Sequence, residues 1–397
     1  MMNEQKAKIV QYVDSIAEEL GQLARDIHDN PELGCEEYKA LEFISTVLEN
    51  HGFSVQKGYA GLPTAFRADA PGKGNGPRIA FLAEYDALAD VGHACGHNLI
   101  TACSVAAFLS MAQQISDFEG SICLIGTPAE ETYGCKVTML ENGGFDDVDF
   151  ALMMHPSSGG SNLVGRGGRA ACSVKVDFHG KGAHSSVPKN GINALNAVIS
   201  LFNQIDMLRP TFDPQDNING VIPFGGTAAN IIPPYAQASF CIRADTMKRI
   251  DELVAIIVRC TENAERLTGA RAEINIGQTS AERYPNRPMN QSFKDNMAEL
   301  GIEMTWPDPK MQYGSSDIGN VSIKMPAIHD YLSITDENVA AHSAGYTAIS
   351  ASPEAIEIAL KGGKGLAMTA IDILSSKEFQ AEILEAHDKQ VPDFYKK

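Results

Sequence analysis

The sequence predicts an α/β protein: a split domain with a central, mostly parallel sheet flanked by helices, interrupted by an inserted ferredoxin-like βαββαβ domain. Short apolar runs that end on polar residues alternate with helical stretches through the first third of the chain. A glycine-rich stretch around residues 158–168 changes the texture. Strand and helix patterns beyond it follow the order of the split βαββαβ motif before helices resume.

Taken in order, Met1 to Gly21 carries an amphipathic pattern through Ile9, Val13, Ile16 and Leu20. It has neither the basic start nor the apolar stretch of a signal peptide. Arg78 to Ala83 reads as a buried strand ending at Glu84, Ser121 to Gly126 as a second ending just before Glu130, and Val148 to Met154 as a third ending at His155. Doubly wound sheets carry their ligands outside the carboxyl ends of the strands, so three strand ends converge on one place. Asn98 to Ile115 reads as a helix whose positive N-terminal end faces the same place and favours a thiolate or an anionic substrate. The glycines at 159, 160, 165, 167 and 168 do not open a helix followed by an acidic residue, as a dinucleotide fingerprint requires, and read as a hinge.

The insertion comprises strand Ala171 to Phe178, helix Ile192 to Leu208, strands Ile218 to Pro223 and Gln237 to Arg243, helix Lys248 to Leu267 and strand Arg271 to Ile276. Ser173 to Phe178 alternates as a half-exposed strand does, and Leu195, Val198, Ile199 and Phe202 recur at helical spacing. The expected domains are therefore 1–168 and 283–397 for the split domain and 169–282 for the insertion. A helix near Met289 to Leu300 follows, and Ser352 with Pro353 announces a final helix. Gly362 and Gly363 inside that helix predict close packing against the sheet.

Composition narrows the function. At 397 residues and 44% hydrophobic content the chain can bury two cores, and 32 basic against 50 acidic residues give a formal charge of −18. Such a surface repels nucleic acid and anionic lipid, so neither is expected as a partner, and small substrates fit better. Eight scattered cysteines without Cys-x-x-Cys spacing, and no uninterrupted apolar stretch of about 18 residues, predict a reducing cytoplasmic location with no membrane span.

The chemistry is concentrated in His93-Ala94-Cys95-Gly96-His97, with Glu84-Tyr85-Asp86 before it and Glu130-Glu131 and His155 after it. A lone buried Cys or His is more often packing than ligand. Thiolate, imidazole and carboxylate gathered at three strand ends are instead the donor set of Zn²⁺ or a related divalent ion, with a spare glutamate able to deprotonate water. Metal-assisted hydrolysis is the leading reading.

These motifs together resemble the co-catalytic metallopeptidases of family twenty, which include aminoacylases, glutamate carboxypeptidases and indoleacetyl-amino-acid hydrolases. The resemblance spans almost the whole chain, through residues 84–88, 93–98, 127–131, 154–156, 180–185 and 225–233, then Arg243, 314–317 and His342-Ser343. Asn98 and the segment 314–322 are most similar to subfamily D, in the group with β-alanyl-lysine dipeptidases and aminobenzoyl-glutamate hydrolases. Much of the wider family has His-x-Asp where this chain has Glu84-x-Asp86, so that first histidine ligand is absent.

The resemblance implies a zinc-peptidase-like catalytic domain with a lid that dimerises, and two divalent ions per subunit, Zn²⁺ or Mn²⁺ or Co²⁺. Cys95 would bridge them, with His97, His155, Glu131 and His342 as the other ligands and Glu130 as general base and acid. Asp86 would orient a ligand histidine, although strand-end aspartates are also common turn residues. His184 and Asn230 would hydrogen-bond the oxyanion in a partner subunit's site, and Arg243 would grip a substrate carboxylate; from the residues alone His184 reads as a loop histidine. His329 is a candidate substrate-binding residue or a packed strand histidine. The expected reaction is hydrolysis of a dipeptide or N-acyl amino acid with a free carboxylate, through attack by a metal-bridged hydroxide, in a homodimer. Two rivals stand beside it, a cysteine amidase with Cys95 as nucleophile and a catalytically silent protein that binds peptide or metal.

Overall fold

A strand buried on both faces must be apolar at consecutive positions, and Ile79 to Ala83 are all fully buried. The computed structural model, which describes residues 2–309, 311 and 313–396, builds these residues into the middle of a six-stranded sheet. The chain forms two compact units, Met1–Gly167 with Arg283–Lys397, and Gly168–Glu282. In chain order the strands are β1 (Val55–Lys57), β2 (Phe66–Pro71), β3 (Lys73–Ala83), β4 (Glu119–Gly126) and β5 (Phe150–Ser157). The second unit holds β6 (Ala170–His179), β7 (Ala183–His184), β8 (Asn217–Phe224), β9 (Ile231–Ile232), β10 (Tyr235–Ala244) and β11 (Arg271–Ile276), and the chain returns with β12 (Ala327–Ser333).

The larger sheet runs β1-β2-β4-β3-β5-β12. Its β4, β3, β5 and β12 are parallel, while β1 and β2 add an antiparallel edge. Side chains alternate between two cores. Ile79, Phe81, Ile122, Leu124, Leu152 and Met154 face one, and Ala80, Leu82, Cys123, Ile125, Ala151 and Met153 face the other. Against the first face packs the helix His97–Ala112, buried at every position from His97 to Met111 as a helix apolar all round must be.

Several boundaries differ from expectation. β5 continues through His155 to Ser157, so that histidine lies within the strand rather than beyond it. The helix at the site starts at His97, one residue early, and the N-terminal pattern resolves into two helices, Glu4–Ser15 and Ala17–Asp29, parted at Ile16. The helix Pro353–Ser375 is not the last, because Ser376 caps another, Lys377–Gln390. Gly362 faces Leu332 and Met154 of the sheet, but Gly363 lies against the neighbouring helix: a Cβ there would meet the Cys103 carbonyl at 2.6 Å and the Ala106 Cβ at 2.8 Å.

In the second unit the order β11-β6-β10-β8 forms a four-stranded antiparallel sheet, and the short pair β7-β9 stands apart. Two helices, Ala194–Leu208 and Met247–Thr268, cover it with Ala197, Val198, Leu201 and Ile205, and with Ile250, Leu253, Ile257 and Ala264. Ile199, counted on the sequence with this apolar face, points outward and is 45% exposed. β8 is an edge strand, and Val221, Ile222 and Phe224 on it are exposed as well.

Gly363→Ala separates two effects of opposite sign. Helix propensity favours alanine by about 1 kcal/mol, whereas the carbonyl contact makes the added methyl an overpacking change that costs about 1–3 kcal/mol. Net destabilisation is expected, read as a lowered melting temperature; a raised one would mean the two helices have room to part.

Candidate metal centre

The site is assembled by backbone geometry at the ends of β3, β4 and β5. After β3 come Glu84 and Asp86, both buried. Gly96, at φ +72°, turns the chain into the helix at His97, and a side chain there would press its Cβ to 2.7 Å from Pro156. Only glycine satisfies both demands. After β4, Ala129 adopts φ +56° and aims Glu130 and Glu131 at the site; His342, on a later loop, adopts φ +60° and donates its backbone N–H to the Ala94 carbonyl at 3.1 Å. Two non-glycine residues in the left-handed region beside one cluster mark a constrained site.

Asp86 organises the centre. Its Oδ1 accepts from His97 Nδ1 at 2.9 Å, its own backbone carbonyl accepts from the same nitrogen at 3.0 Å, and its Oδ2 accepts the Glu131 N–H at 3.0 Å. With both acceptors on Nδ1, a proton sits there; burial opposes a second one, but Asp86, followed by Glu84 and Glu131, outweighs it, so Nε2 is offered to a proton or to an ion that displaces it. That Nε2 has no hydrogen-bond partner although His97 is 1% exposed, and it lies 3.4 Å from Glu84 Oε2 and 3.8 Å from Glu131 Oε1. His155 is arranged alike, its Nδ1 bonded to the Pro156 carbonyl at 2.7 Å.

Ligand-type atoms of Cys95, His97 and Glu131 lie within 4.8 Å of one another, as do those of Glu84, His97 and His155. His342 joins through Nε2, 3.7 Å from Glu131 Oε1, while its ring remains 58% exposed. A buried imidazole lone pair among carboxylates and a thiol fits divalent ions. His329 is 3% exposed, with its ring 5.4 Å from that of His155, its Nδ1 3.4 Å from the Tyr331 hydroxyl and its Nε2 unpartnered. It belongs to an aromatic wall that includes Tyr331, over which Arg166 stacks at 4.3 Å.

Electrostatics follow from this crowding. Burial, then Glu84, Asp317 and Glu131, push the Glu130 carboxyl well above its ordinary range. Burial and Glu131 likewise raise the Cys95 thiol. For Glu84 burial opposes the charge, but Lys136, followed by His97 and His155, outweighs it and holds the carboxyl below the ordinary value. Burial lowers His155 to about 4, helped by His97.

The sequence reading missed two supports. Lys136, fully buried on the helix Cys135–Glu141, donates to Glu84 Oε1 at 2.6 Å and to Asp317 Oδ1 at 2.7 Å. Glu37, equally buried, accepts the Ala129 N–H at 2.8 Å and the Thr64 hydroxyl at 2.7 Å, which pins the loop carrying Glu130. Neither has a motif: one is a helical lysine, the other a glutamate before a helix. In the inserted unit His184 and Asn230 are exposed neighbours, with the Ser185 N–H on the Asn230 carbonyl and His184 paired to Ile231. Arg243 lies toward the other end of β10, opposite Ala171, eight residues or roughly 26 Å from Tyr235, where the chain leaves the His184 pair.

Residues 166–267 match the model of the M20 peptidase dimerisation domain. The Xaa-Arg dipeptidase of Homo sapiens is 35% identical over 401 residues, covering 96% of this chain and 90% of that protein. The chain belongs to peptidase family M20. A p-aminobenzoyl-glutamate hydrolase of Escherichia coli is 28% identical over 300 residues, covering 70% of this chain and 62% of that protein. A solved dinuclear metal-binding peptidase of family M20 from Bacillus subtilis has the same fold, with a TM-score of 0.66 at 22% identity, covering 90% of this chain and 99% of that one. As a member of M20, this protein is a hydrolase of amide bonds.

Burial lifts the Glu37 carboxyl from 4.5 to about 7, against the pull of the Thr64 hydroxyl. A raised folded-state value means that the native state binds the proton first, so the group's contribution is complete below pH 4.5 and is lost as pH rises through 7. Relative to Glu37→Gln, the wild type should gain about 3 kcal/mol between pH 7 and pH 4.5. Urea unfolding of both proteins across that window measures it, and a constant difference would contradict the shift.

Proposed function

We propose that this M20 protein hydrolyses the amide bond of a dipeptide or N-acyl amino acid that carries a free carboxylate. The observation that carries the reading is the arrangement around His97, whose Nδ1 is fixed by Asp86 and whose buried Nε2, without a hydrogen bond, stands among acidic and thiol donors. Two divalent ions, Zn²⁺ or alternatively Mn²⁺ or Co²⁺, would be held by Cys95, His97, Glu131, His155 and His342, and when bound they polarise the scissile carbonyl and acidify water. Glu130 takes the proton of the attacking water and returns it to the departing amine, a role suited to a carboxyl whose affinity for protons is raised by burial and by Glu84, Asp317 and Glu131.

The first unit is the catalytic domain in this reading and the inserted unit the lid through which two chains pair. The exposed apolar edge of β8 and the match to a dimerisation domain support the pairing. His184 and Asn230 share one end of the lid, and we assign them to the oxyanion in the partner's site; Arg243, at the end where the chain enters the lid, serves a substrate carboxylate. His329 then lines the wall behind His155. No helix among the described residues is long and apolar enough to cross a membrane, and a cytoplasmic location agrees with free, scattered cysteines.

The cysteine-amidase rival is disfavoured by the surroundings of Cys95. A nucleophilic cysteine needs surroundings that lower its pKa, and here burial and the carboxylates of Glu131, Glu130 and Glu84 raise it. A silent binding protein would have no use for Glu130.

A hydrolysis screen of dipeptides and N-acyl amino acids with Zn²⁺, Mn²⁺ and Co²⁺ in turn tests the function. On the best substrate Glu130→Gln should keep metal and fold but lose on the order of 10²–10⁴ in turnover. Full activity in that variant ends the assignment. Mixing inactive His184→Ala with inactive Glu130→Gln chains should restore one good site per heterodimer. At statistical exchange that amounts to roughly a quarter of wild-type activity, and confirmed exchange without recovery would refute the partner role of His184.

A further inference from the structure

We infer that Glu84 is itself a ligand of the ion on His97, held in place by the buried ammonium of Lys136. This rests on the metal-centre reading above and adds a donor to it. Glu84 Oε2 and His97 Nε2 are both buried, both lack a hydrogen-bond partner, and lie 3.4 Å apart. Ligand bonds of roughly 2.0–2.2 Å separate neighbouring donors on a tetrahedron by roughly 3.3–3.6 Å, so the pair spans one edge of a coordination polyhedron. His155 completes the group within 4.8 Å.

A second set of acids, Glu84, Glu130 and Asp317, also lies within 4.8 Å. Lys136 already supplies the positive charge there, through Glu84 Oε1 at 2.6 Å and Asp317 Oδ1 at 2.7 Å. Glu84 is thus a two-sided carboxylate, with one oxygen neutralised by an ammonium and the other turned to His97 Nε2 at 3.4 Å without a hydrogen bond to it. Lys136 acts as a positioning residue, since its two ion pairs fix the rotamer that aims Oε2, and Asp317 anchors it by also accepting its backbone N–H at 3.0 Å.

The test is metal binding by purified full-length protein. Wild type and Glu84→Gln are compared by metal content after dialysis against buffered Zn²⁺, by chelator competition, and by the visible spectrum of the Co²⁺ form. Glu84→Gln leaves Lys136 paired with Asp317, so the fold should persist while Zn²⁺ affinity at the more weakly held position falls by on the order of 100-fold or more and the Co²⁺ bands shift. Unchanged affinity and spectrum in a folded variant overturn the proposal. Should Glu84→Gln not fold, Glu84→Asp keeps the charge beside Lys136 but withdraws the oxygen, and the same loss of affinity is expected; failure of both to fold would assign Glu84 to the framework and overturn the proposal too. A wild type that binds no divalent ion defeats the underlying metal-centre reading instead, whatever the variants do.

Discussion

Burying carboxylates without compensating charge is among the most costly things a fold can do, and this one gathers Glu84, Asp86 and Asp317, with Cys95 and the half-buried Glu130 and Glu131, at the ends of three parallel strands. Lys136 is the buried ammonium among them. It joins the end of β3 to the N-terminus of the helix Ile318–Lys324, residues 181 positions apart from it in the chain on one side and 52 on the other. The remaining negative charge is concentrated on the side of His97. A cluster so built favours cations by construction, and bound ions would oppose the burial that raises the proton affinity of Cys95 and Glu130.

Rigidity at this site comes from backbone positions that resist their own conformation. Ala129 and His342 are held with positive φ, at a cost of order 1–3 kcal/mol each, by Glu37 and by the Ala94 carbonyl respectively. Gly96 removes the same cost where the turn into the helix must also pass Pro156. Glu130, Glu131 and the late His342 are thereby fixed from separate parts of the chain. Preorganisation of this kind would let a metal centre keep its ligand angles with little ordering cost when ions bind.

The inserted unit obeys different physics. Its sheet buries one face under two amphipathic helices and exposes apolar side chains at the edge strand β8 and on the outer side of the helix Ala194–Leu208. An open edge of this kind is a liability for a monomer and an asset for a pairing domain. His184 and Asn230 stand at one end of this unit, and Arg243 lies toward the other end of β10.

Much of this was written into the local sequence. The periodicities predicted the split sheet, the βαββαβ insertion and the ends of β3 and β4, because buried parallel strands and amphipathic helices impose their patterns residue by residue. The ligand types clustered densely enough at Cys95, His97, Glu131 and His155 to name the chemistry. Sequence did not show that β5 runs past His155, that a helix follows Ser376, or that Gly363 meets a helix rather than the sheet, since those outcomes depend on neighbours supplied by distant segments. For the same reason only the tertiary structure revealed Glu37 beneath the Glu130 loop, and Lys136 between Glu84 and Asp317. A hydrogen bond or an ion pair across scores of residues leaves no spacing to read, because its distance is set by the packing of the whole sheet and not by the chain that carries it.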